Sequence, residues 1–184
     1  MSEKLYETRH IYLTIGVCIP IFAPFLLLFV PQTIAQLLYY TNDTWYVFTP
    51  GENYIAYGIG CFFIFLSTMF LFFIGIRKIS IYLCIFCIVL SIACFIMASL
   101  SYKSLSDEEI SYRSIFSTNH ATYSWDDVDA IRYEKIEEKG RSEYTIIFTD
   151  GNSMRLKNDG YFKAIEYKFY KKLDEINIIL DTVD

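Results

Sequence analysis

Three long runs without a charged residue constrain this 184-residue chain more than any other feature. They are Ile11–Val30, Tyr54–Ile76 and Ile79–Leu100. A helix needs about 20 apolar residues to cross the hydrocarbon core of a bilayer, because each residue advances the helix by about 1.5 Å. A soluble helix of this length would need a polar face, which these runs do not have. We therefore expect three transmembrane helices, with the lipid bilayer as the first partner of the chain.

The charged residues lie mostly in the second half of the chain. Residues 1–100 contain eight of them, whereas residues 101–184 contain 29, of which 17 are acidic. This division predicts a transmembrane domain over 1–100 and a separate soluble domain over 101–184. The sequence argues against a nucleic-acid partner, because it offers no basic face that could neutralise phosphates.

We expect the first run to be a retained helix and not a cleaved signal peptide. It is longer than the apolar core of a signal peptide, and Val30-Pro31-Gln32 is not a small-residue cleavage site. Pro20 and Pro24 are expected to kink this helix. From Pro31 to Asn53 the chain is rich in aromatic residues, which favour the headgroup zone. There we expect an interfacial loop that begins with a short surface helix at Ile34–Leu38.

The basic residues near the ends of the runs indicate the orientation in the cell membrane. Four of them precede the first run or separate the second from the third: Lys4, Arg9, Arg77 and Lys78. Only two basic residues, Lys103 and Arg113, follow the third run closely. A cytoplasmic N-terminus is therefore favoured, which would place residues 101–184 outside the cell.

The third run carries a stripe of small residues. Ser80, Cys84, Cys87, Ser91, Cys94 and Ala98 recur at helical spacing, so they share one helix face. Small residues let helix backbones approach closely in lipid, and we expect this stripe to be a helix-packing face. Its partner is either the glycines of the second run, such as Gly58 and Gly60, or another protein, including a second copy of the chain. Redox chemistry at Cys84 and Cys87 is not expected, because no basic neighbour would lower a thiol pKa.

Residues 101–157 predict a series of short strands. Apolar and polar residues alternate there, as in half-buried strands. Glu137–Glu143 reads as a charged hairpin loop, and Asp150-Gly151 is a strong hairpin turn. The expected strands are Tyr102–Leu105, Ile110–Phe116, Ala121–Ser124, Val128–Ile136, Tyr144–Phe148 and a short one containing Met154 and Leu156.

The end of the chain predicts an amphipathic helix. One apolar stripe recurs at helical spacing: Phe162, Ile165, Phe169, Leu173, Ile176 and Leu180. Asn158 or Asp159 could cap its first turn by accepting hydrogen bonds from backbone N–H groups. Strands followed by one helix predict an α+β domain in which the helix covers the open face or mouth of a curved sheet.

Three motifs of this half resemble a bacterial pleckstrin-homology-like (PH-like) domain. They are Ile110–Ser114, Tyr123–Val128 and Tyr144–Gly151, followed by the amphipathic helix. The resemblance implies a curved sheet or partly open barrel capped by one helix, and a binding role. It implies no phosphoinositide ligand, because the first hairpin turn, Ser106-Asp107-Glu108-Glu109, would repel an anionic headgroup. Bacterial members often face the cytoplasm, so the side of the membrane that residues 101–184 occupy stays open.

No pattern for catalysis, metal or cofactor binding stands out. His10 and His120 have no partner at metal-ligand spacing, and Asp126, Asp127 and Asp129 do not form a calcium loop. Phosphate-binding loops and nucleophile motifs do not occur. We therefore expect a protein that is not an enzyme and that needs no cofactor.

Three functions fit these features. The first is a membrane-anchored interaction protein whose PH-like domain engages a protein or peptide partner. The second is an immunity or protective protein against a membrane-active peptide or toxin. The third is an accessory subunit of a membrane transport or secretion complex.

Overall fold

The chain divides into two compact units, and each combines separate stretches of sequence. The N-terminal unit comprises the chain up to Ala35 together with Thr49–Ser101. The C-terminal unit comprises Gln36–Phe48 and the chain from Tyr102 onward. The computed structural model describes residues 2–117, 119–136, 141–178 and 180–183, with side chains from residue 9 onward except at 136, 141, 182 and 183.

Within the described residues, three helices are long and apolar enough to cross a membrane. They are α1, Ser2–Tyr39, in which the candidate membrane span is Arg9–Tyr39, α2, Gly51–Ile74, and α3, Lys78–Leu100. These helices are compatible with a multi-pass membrane protein, as the three uncharged runs predict. Apolar residues on all sides of the helices match a surface that faces lipid.

Helix α1 is longer than predicted. The separate surface helix expected at Ile34–Leu38 is wrong, because these residues form the last turns of α1. Pro20, Pro24 and Pro31 all lie inside the helix. Transmembrane helices tolerate proline where hydroxyl side chains or neighbours compensate for the missing hydrogen bonds. Two residues after the last proline, Thr33 Oγ1 donates back to Phe29 O at 2.8 Å.

Helices α2 and α3 form a hairpin. At the end opposite its turn, the side-chain amide of Asn53 links the two helices. Asn53 is 1% exposed, and its Nδ2 donates to Ala98 O at 2.8 Å and to Ser101 O at 2.7 Å. Tyr57 Oη and Ser99 Oγ lie 2.7 Å apart one turn further on. The last carbonyls of a helix have no partner within the helix, so Asn53 supplies donors that the end of α3 needs.

In the part of the chain that the structure describes, the C-terminal unit contains two four-stranded sheets and two short α-helices. The first sheet has the order β1-β2-β3-β4 and is antiparallel. The second has the order β7-β6-β5-β8, and β8 runs parallel to β5. The strands are β1 Thr44–Phe48, β2 Tyr102–Ser106, β3 Glu109–Arg113, β4 Ala121–Ser124, β5 Val128–Ile136, β6 Arg141–Phe148, β7 Ser153–Lys157 and β8 Leu180–Val183; the helices are α4 Gly160–Lys163 and α5 Glu166–Glu175.

Strand β1 is the main departure from the sequence-based expectation. The interfacial loop predicted between Pro31 and Asn53 is wrong at this point, because Thr44–Phe48 pairs with β2 and Val47 lies opposite Ser104. Aromatic and β-branched residues favour a pleated, half-buried surface, and the run Thr-Trp-Tyr-Val-Phe has that composition. The division of the chain at residue 100 did not anticipate that this earlier segment belongs to the C-terminal unit.

The expected C-terminal helix is present but broken and shorter. Phe162, Phe169 and Leu173 are buried on its apolar side. Asp159 Oδ1 caps α4 by accepting from Tyr161 N at 2.9 Å and from Phe162 N at 3.1 Å. The expectation that the stripe continues to Leu180 is wrong. The chain leaves the helix through Asn177, whose φ of 54° is left-handed, and Leu180 begins β8.

Aromatic rings dominate the core of the C-terminal unit. Tyr144, Phe148, Phe162 and Phe169 are almost wholly buried. The ring centroids of Tyr144 and Phe162 are 4.6 Å apart, and those of Phe162 and Phe169 are 5.1 Å apart. The helices therefore pack on the sheets through ring contacts, as expected of an α+β domain. Residues 137–140 of the charged loop predicted over Glu137–Glu143 lie outside the described residues, and β6 begins at Arg141.

The first prediction concerns β1. A soluble fragment of residues 101–184 should be poorly folded, because the core then lacks Trp45 and Phe48, each 8% exposed. Burial of such side chains contributes about 1.5–3 kcal/mol each, a large part of the total stability of a small domain. A chain that joins Gln36–Phe48 to Tyr102 through a linker of about four residues should fold cooperatively. Thermal melts by circular dichroism would compare the two, and equal melting temperatures would show that β1 is dispensable.

The second prediction concerns Asn53. Asn53→Ala should weaken the α2–α3 hairpin by about 1–2 kcal/mol, because the carbonyls of Ala98 and Ser101 lose their donor. Unfolding of the full chain by SDS in mild detergent would measure this. Ile55→Ala is the matched control, since Ile55 lies on the same helix and is 65% exposed. An Asn53 variant as stable as the control would contradict this role.

Candidate functional site: a polar cavity in the C-terminal unit

The small-residue stripe of α3 lies against α2. Ser80, Cys87, Ser91 and Ala98 are buried, and Cys84 and Cys94 are half-buried. Ser91 Oγ donates to Gly60 O at 2.9 Å, and Ser67 Oγ lies 2.8 Å from Cys84 Sγ. A Cβ atom at Gly60 would lie 2.6 Å from Phe95 Cε1, so a larger residue would require the Phe95 ring or the helix backbone to shift. The contacts of the stripe are thus packing contacts and interhelical hydrogen bonds.

The C-terminal unit contains a cavity of about 450 Å³. One wall is the segment that runs from the end of α1 into β1, and the other is formed by β2, β3 and the turn between them. We call it the β1–β3 cavity. Its lining includes five hydroxyl residues, Thr41, Thr44, Ser104, Ser106 and Ser111, three carboxylates, Asp43, Glu108 and Glu109, and two aromatic rings, Tyr39 and Tyr102.

Strand register explains why the floor of this cavity is polar. Ser104 lies opposite Ser111, and Leu105 lies opposite Ile110. Leu105 and Ile110 belong to the hydrophobic core. Successive side chains of a strand point to opposite faces of the sheet. Ser104 and Ser111 therefore lie on the face turned away from the core.

Hydrogen bonds order most of the hydroxyl groups around the cavity. Thr41 Oγ1 and Thr44 Oγ1 are 2.7 Å apart. Ser106 Oγ donates to Glu109 O at 2.8 Å and accepts from Glu109 N at 3.0 Å, which stabilises the β2–β3 turn. Ser111 Oγ donates to Glu109 Oε1 at 3.4 Å, so this carboxylate lies over the cavity floor.

Ser104 also lines the cavity, and the residue is 8% exposed.

The electrostatic character of the cavity is acidic. Among its lining residues, all of which the structure describes, there are three carboxylates and no lysine or arginine. Tyr102 stacks on Tyr39 with ring centroids 3.7 Å apart. Burial is the main factor that raises the pKa of Tyr102; nearby Tyr39 and Glu109 raise it further, and Arg113 lowers it.

Sequence reasoning missed this cavity. Its one local signal was the alternation of Ser104 and Ser106 with Leu105, which sets a polar face against an apolar one. Thr41, Asp43 and Thr44 could not be assigned to it, because β1 pairs with a strand that lies far along the chain.

The acidic residues near Trp125 serve the local backbone. Asp127 Oδ2 accepts from Ser124 N at 2.9 Å, and Asp126 N donates to Ser124 Oγ at 3.4 Å. These reciprocal bonds form a capping box for the short 3-10 helix Trp125–Asp127.

Comparisons with protein family models, with curated proteins and with solved structures gave no match. A function for this chain must therefore be argued from its own residues and geometry.

Proposed function

We propose that this chain is a membrane-anchored binding protein whose C-terminal α+β unit holds a protein or peptide partner. The observation that supports this most directly is the β1–β3 cavity of about 450 Å³. Ligand cavities in proteins typically have volumes of about 300–1,000 Å³ and a few placed polar groups. A protein partner can fill such a cavity with one or two side chains, while its backbone stays outside.

The resemblance to a PH-like domain also favours a binding role. It implies a curved sheet or partly open barrel capped by one helix, and its support in the described residues is limited to sheets with a helix packed on them. The acidic β2–β3 turn argues against anionic lipid headgroups, because Glu108 and Glu109 would repel them. A positively charged partner fits this acidic turn better.

We assign the N-terminus and the α2–α3 turn to the cytoplasm of the cell. Arg9 lies close to this turn, since a Cβ atom at Gly75 would be 3.0 Å from an Arg9 guanidinium nitrogen. Arg9, Arg77 and Lys78 would together follow the positive-inside rule. Two crossings by α2 and α3 return the chain to the side where α1 ended. The pairing of β1 with β2 requires that return.

Cysteine labelling in intact cells tests this orientation. Tyr167→Cys should react with a membrane-impermeant maleimide, because Tyr167 is 81% exposed on α5. Lys78→Cys should react only after the cells are opened. The parent chain, whose five cysteines lie within α1, α2 and α3, is the control for background labelling. Labelling of Lys78→Cys alone in intact cells would reverse the orientation.

Site-specific crosslinking tests the binding role. A photoreactive amino acid at Thr41, an exposed residue of the cavity lining, should give a discrete adduct in native membranes. The same amino acid at Tyr167, an exposed position that does not line the cavity, is the matched control. Mass spectrometry would identify the adduct. Identical crosslinking at both positions, or none at Thr41, would contradict a partner at the cavity.

A further inference from the structure

We propose that the β1–β3 cavity receives an aromatic side chain with a polar tip, a tyrosine or a tryptophan of the protein or peptide partner. This inference rests on the proposed function and deepens it by naming the residue that the partner inserts. The inserted ring stacks on the wall formed by Tyr39 and Tyr102, and its O–H or N–H group donates to the carboxylate of Glu109.

The stacked pair of Tyr39 and Tyr102 provides the wall for such a ring. Both residues line the cavity, and both are half-buried. Their ring centroids are 3.7 Å apart and their interplanar angle is 13°, so each ring covers one face of the other and keeps one outer face. A further ring on an outer face gains stacking energy beyond the area that it buries. Tryptophan and tyrosine are also enriched among the residues that dominate binding at protein interfaces.

The hydrogen bonds of the lining favour a group that donates. Ser106 Oγ donates to Glu109 O, and Ser111 Oγ donates to Glu109 Oε1 at 3.4 Å. Thr41 and Thr44 form a hydrogen bond with each other, so one of their two hydroxyl protons is used there. An ionised carboxylate only accepts. The cavity therefore matches a phenol O–H or an indole N–H, each of which supplies one donor.

A neutral donor suits this cavity better than a cation. Arg113 lies on the same face of β3 as Glu109 and Ser111, because alternate residues of a strand share a face. Burial is the main factor that raises the pKa of Tyr102; Glu109 also raises it and Arg113 lowers it, so both charges lie near the ring wall. A second cation there would be repelled by Arg113, whereas a phenol or an indole carries no charge.

The C-terminal unit already contains one tyrosine in such an arrangement. The ring of Tyr123 stacks on Phe148 with centroids 3.8 Å apart and an interplanar angle of 11°. Its Oη donates to Asp150 Oδ2 at 2.6 Å. One residue can therefore combine ring stacking with a hydrogen bond to a carboxylate, and the β1–β3 cavity offers a ring wall and a carboxylate together.

Binding of short peptides to the full chain in lipid nanodiscs tests the proposal. The probes are blocked peptides Gly-Ser-X-Ser-Gly, in which X is tyrosine, phenylalanine, leucine or lysine. Titrations followed by saturation-transfer NMR would rank them, with empty nanodiscs measured in parallel to subtract partition into lipid. The tyrosine peptide should bind saturably, and the phenylalanine peptide about tenfold more weakly, because it lacks the donor. Leucine or lysine peptides that bind as tightly as the tyrosine peptide, or no saturable binding of the tyrosine peptide, would overturn the proposal.

Variants of the ring wall place the binding at the cavity. Tyr102→Leu should weaken binding of the tyrosine peptide by about two- to tenfold, the contribution of a stacking contact, whereas Tyr102→Phe should keep the affinity. Tyr167→Leu is the matched control, because Tyr167 is 81% exposed on α5 and does not line the cavity. Equal affinities of Tyr102→Leu and Tyr102→Phe, or equal losses in Tyr102→Leu and Tyr167→Leu, would overturn the ring wall.

A variant of the carboxylate separates binding from folding. Glu109→Gln should weaken the tyrosine peptide several-fold, because the hydrogen bond to an ionised acceptor is lost, and should leave the phenylalanine peptide unchanged. A misfolded variant would lose both peptides equally. Equal losses for the two peptides in a variant that melts like the parent chain would overturn the role of Glu109.

The proposed function and this inference fail separately in the crosslinking experiment at Thr41. An adduct in which the partner is linked at or beside a tyrosine or tryptophan would support both. An adduct at a partner segment without an aromatic residue would overturn the aromatic anchor and leave the proposed function in place. Binding of the tyrosine peptide without an adduct at Thr41 in native membranes would support the ring site and overturn the protein or peptide partner.

Discussion

The pairing of β1 with β2 is the contact on which the C-terminal unit depends. These neighbouring strands are separated in sequence by the whole α2–α3 hairpin. Bringing two distant points of a flexible chain together is entropically unfavourable, and the penalty rises with loop length. A helical hairpin is not a flexible loop, because its backbone is already ordered. Asn53 bonds to carbonyls at the end of α3, so the two ends of the hairpin are held near each other.

Close packing and hydrogen bonds hold the α2–α3 hairpin together. Lipid provides no hydrophobic driving force for two helices to associate, so close packing and interhelical hydrogen bonds must drive their association. Ser91 reaches the carbonyl of Gly60, and Gly60 leaves room for the ring of Phe95. At the turn, Ser80 Oγ donates to Gly75 O, which fixes the end of α2. The stripe of small residues thus stabilises the hairpin in two ways. It lets α2 and α3 approach closely, and its serine hydroxyls form hydrogen bonds.

The β1–β3 cavity exists because the same strand pairing completes one of its walls. Thr41, Asp43 and Thr44 come from the segment before the hairpin, and Ser104 and Glu109 come from the chain after it. Both segments are therefore needed to form the cavity.

Local patterns were enough to predict much of this chain. The apolar runs marked the three long helices, the alternation of residues marked β4 and β5 at their observed limits, and Asp150-Gly151 marked a turn in which Gly151 has a φ of 85°. These features depend on neighbours in sequence, so a single sequence contains their signal. β1, the break after α4, the strand at Leu180 and the acidic cavity depend on residues that meet only in space. Their formation reflects long-range pairing and burial, which no local period encodes, and so only the tertiary structure could decide them.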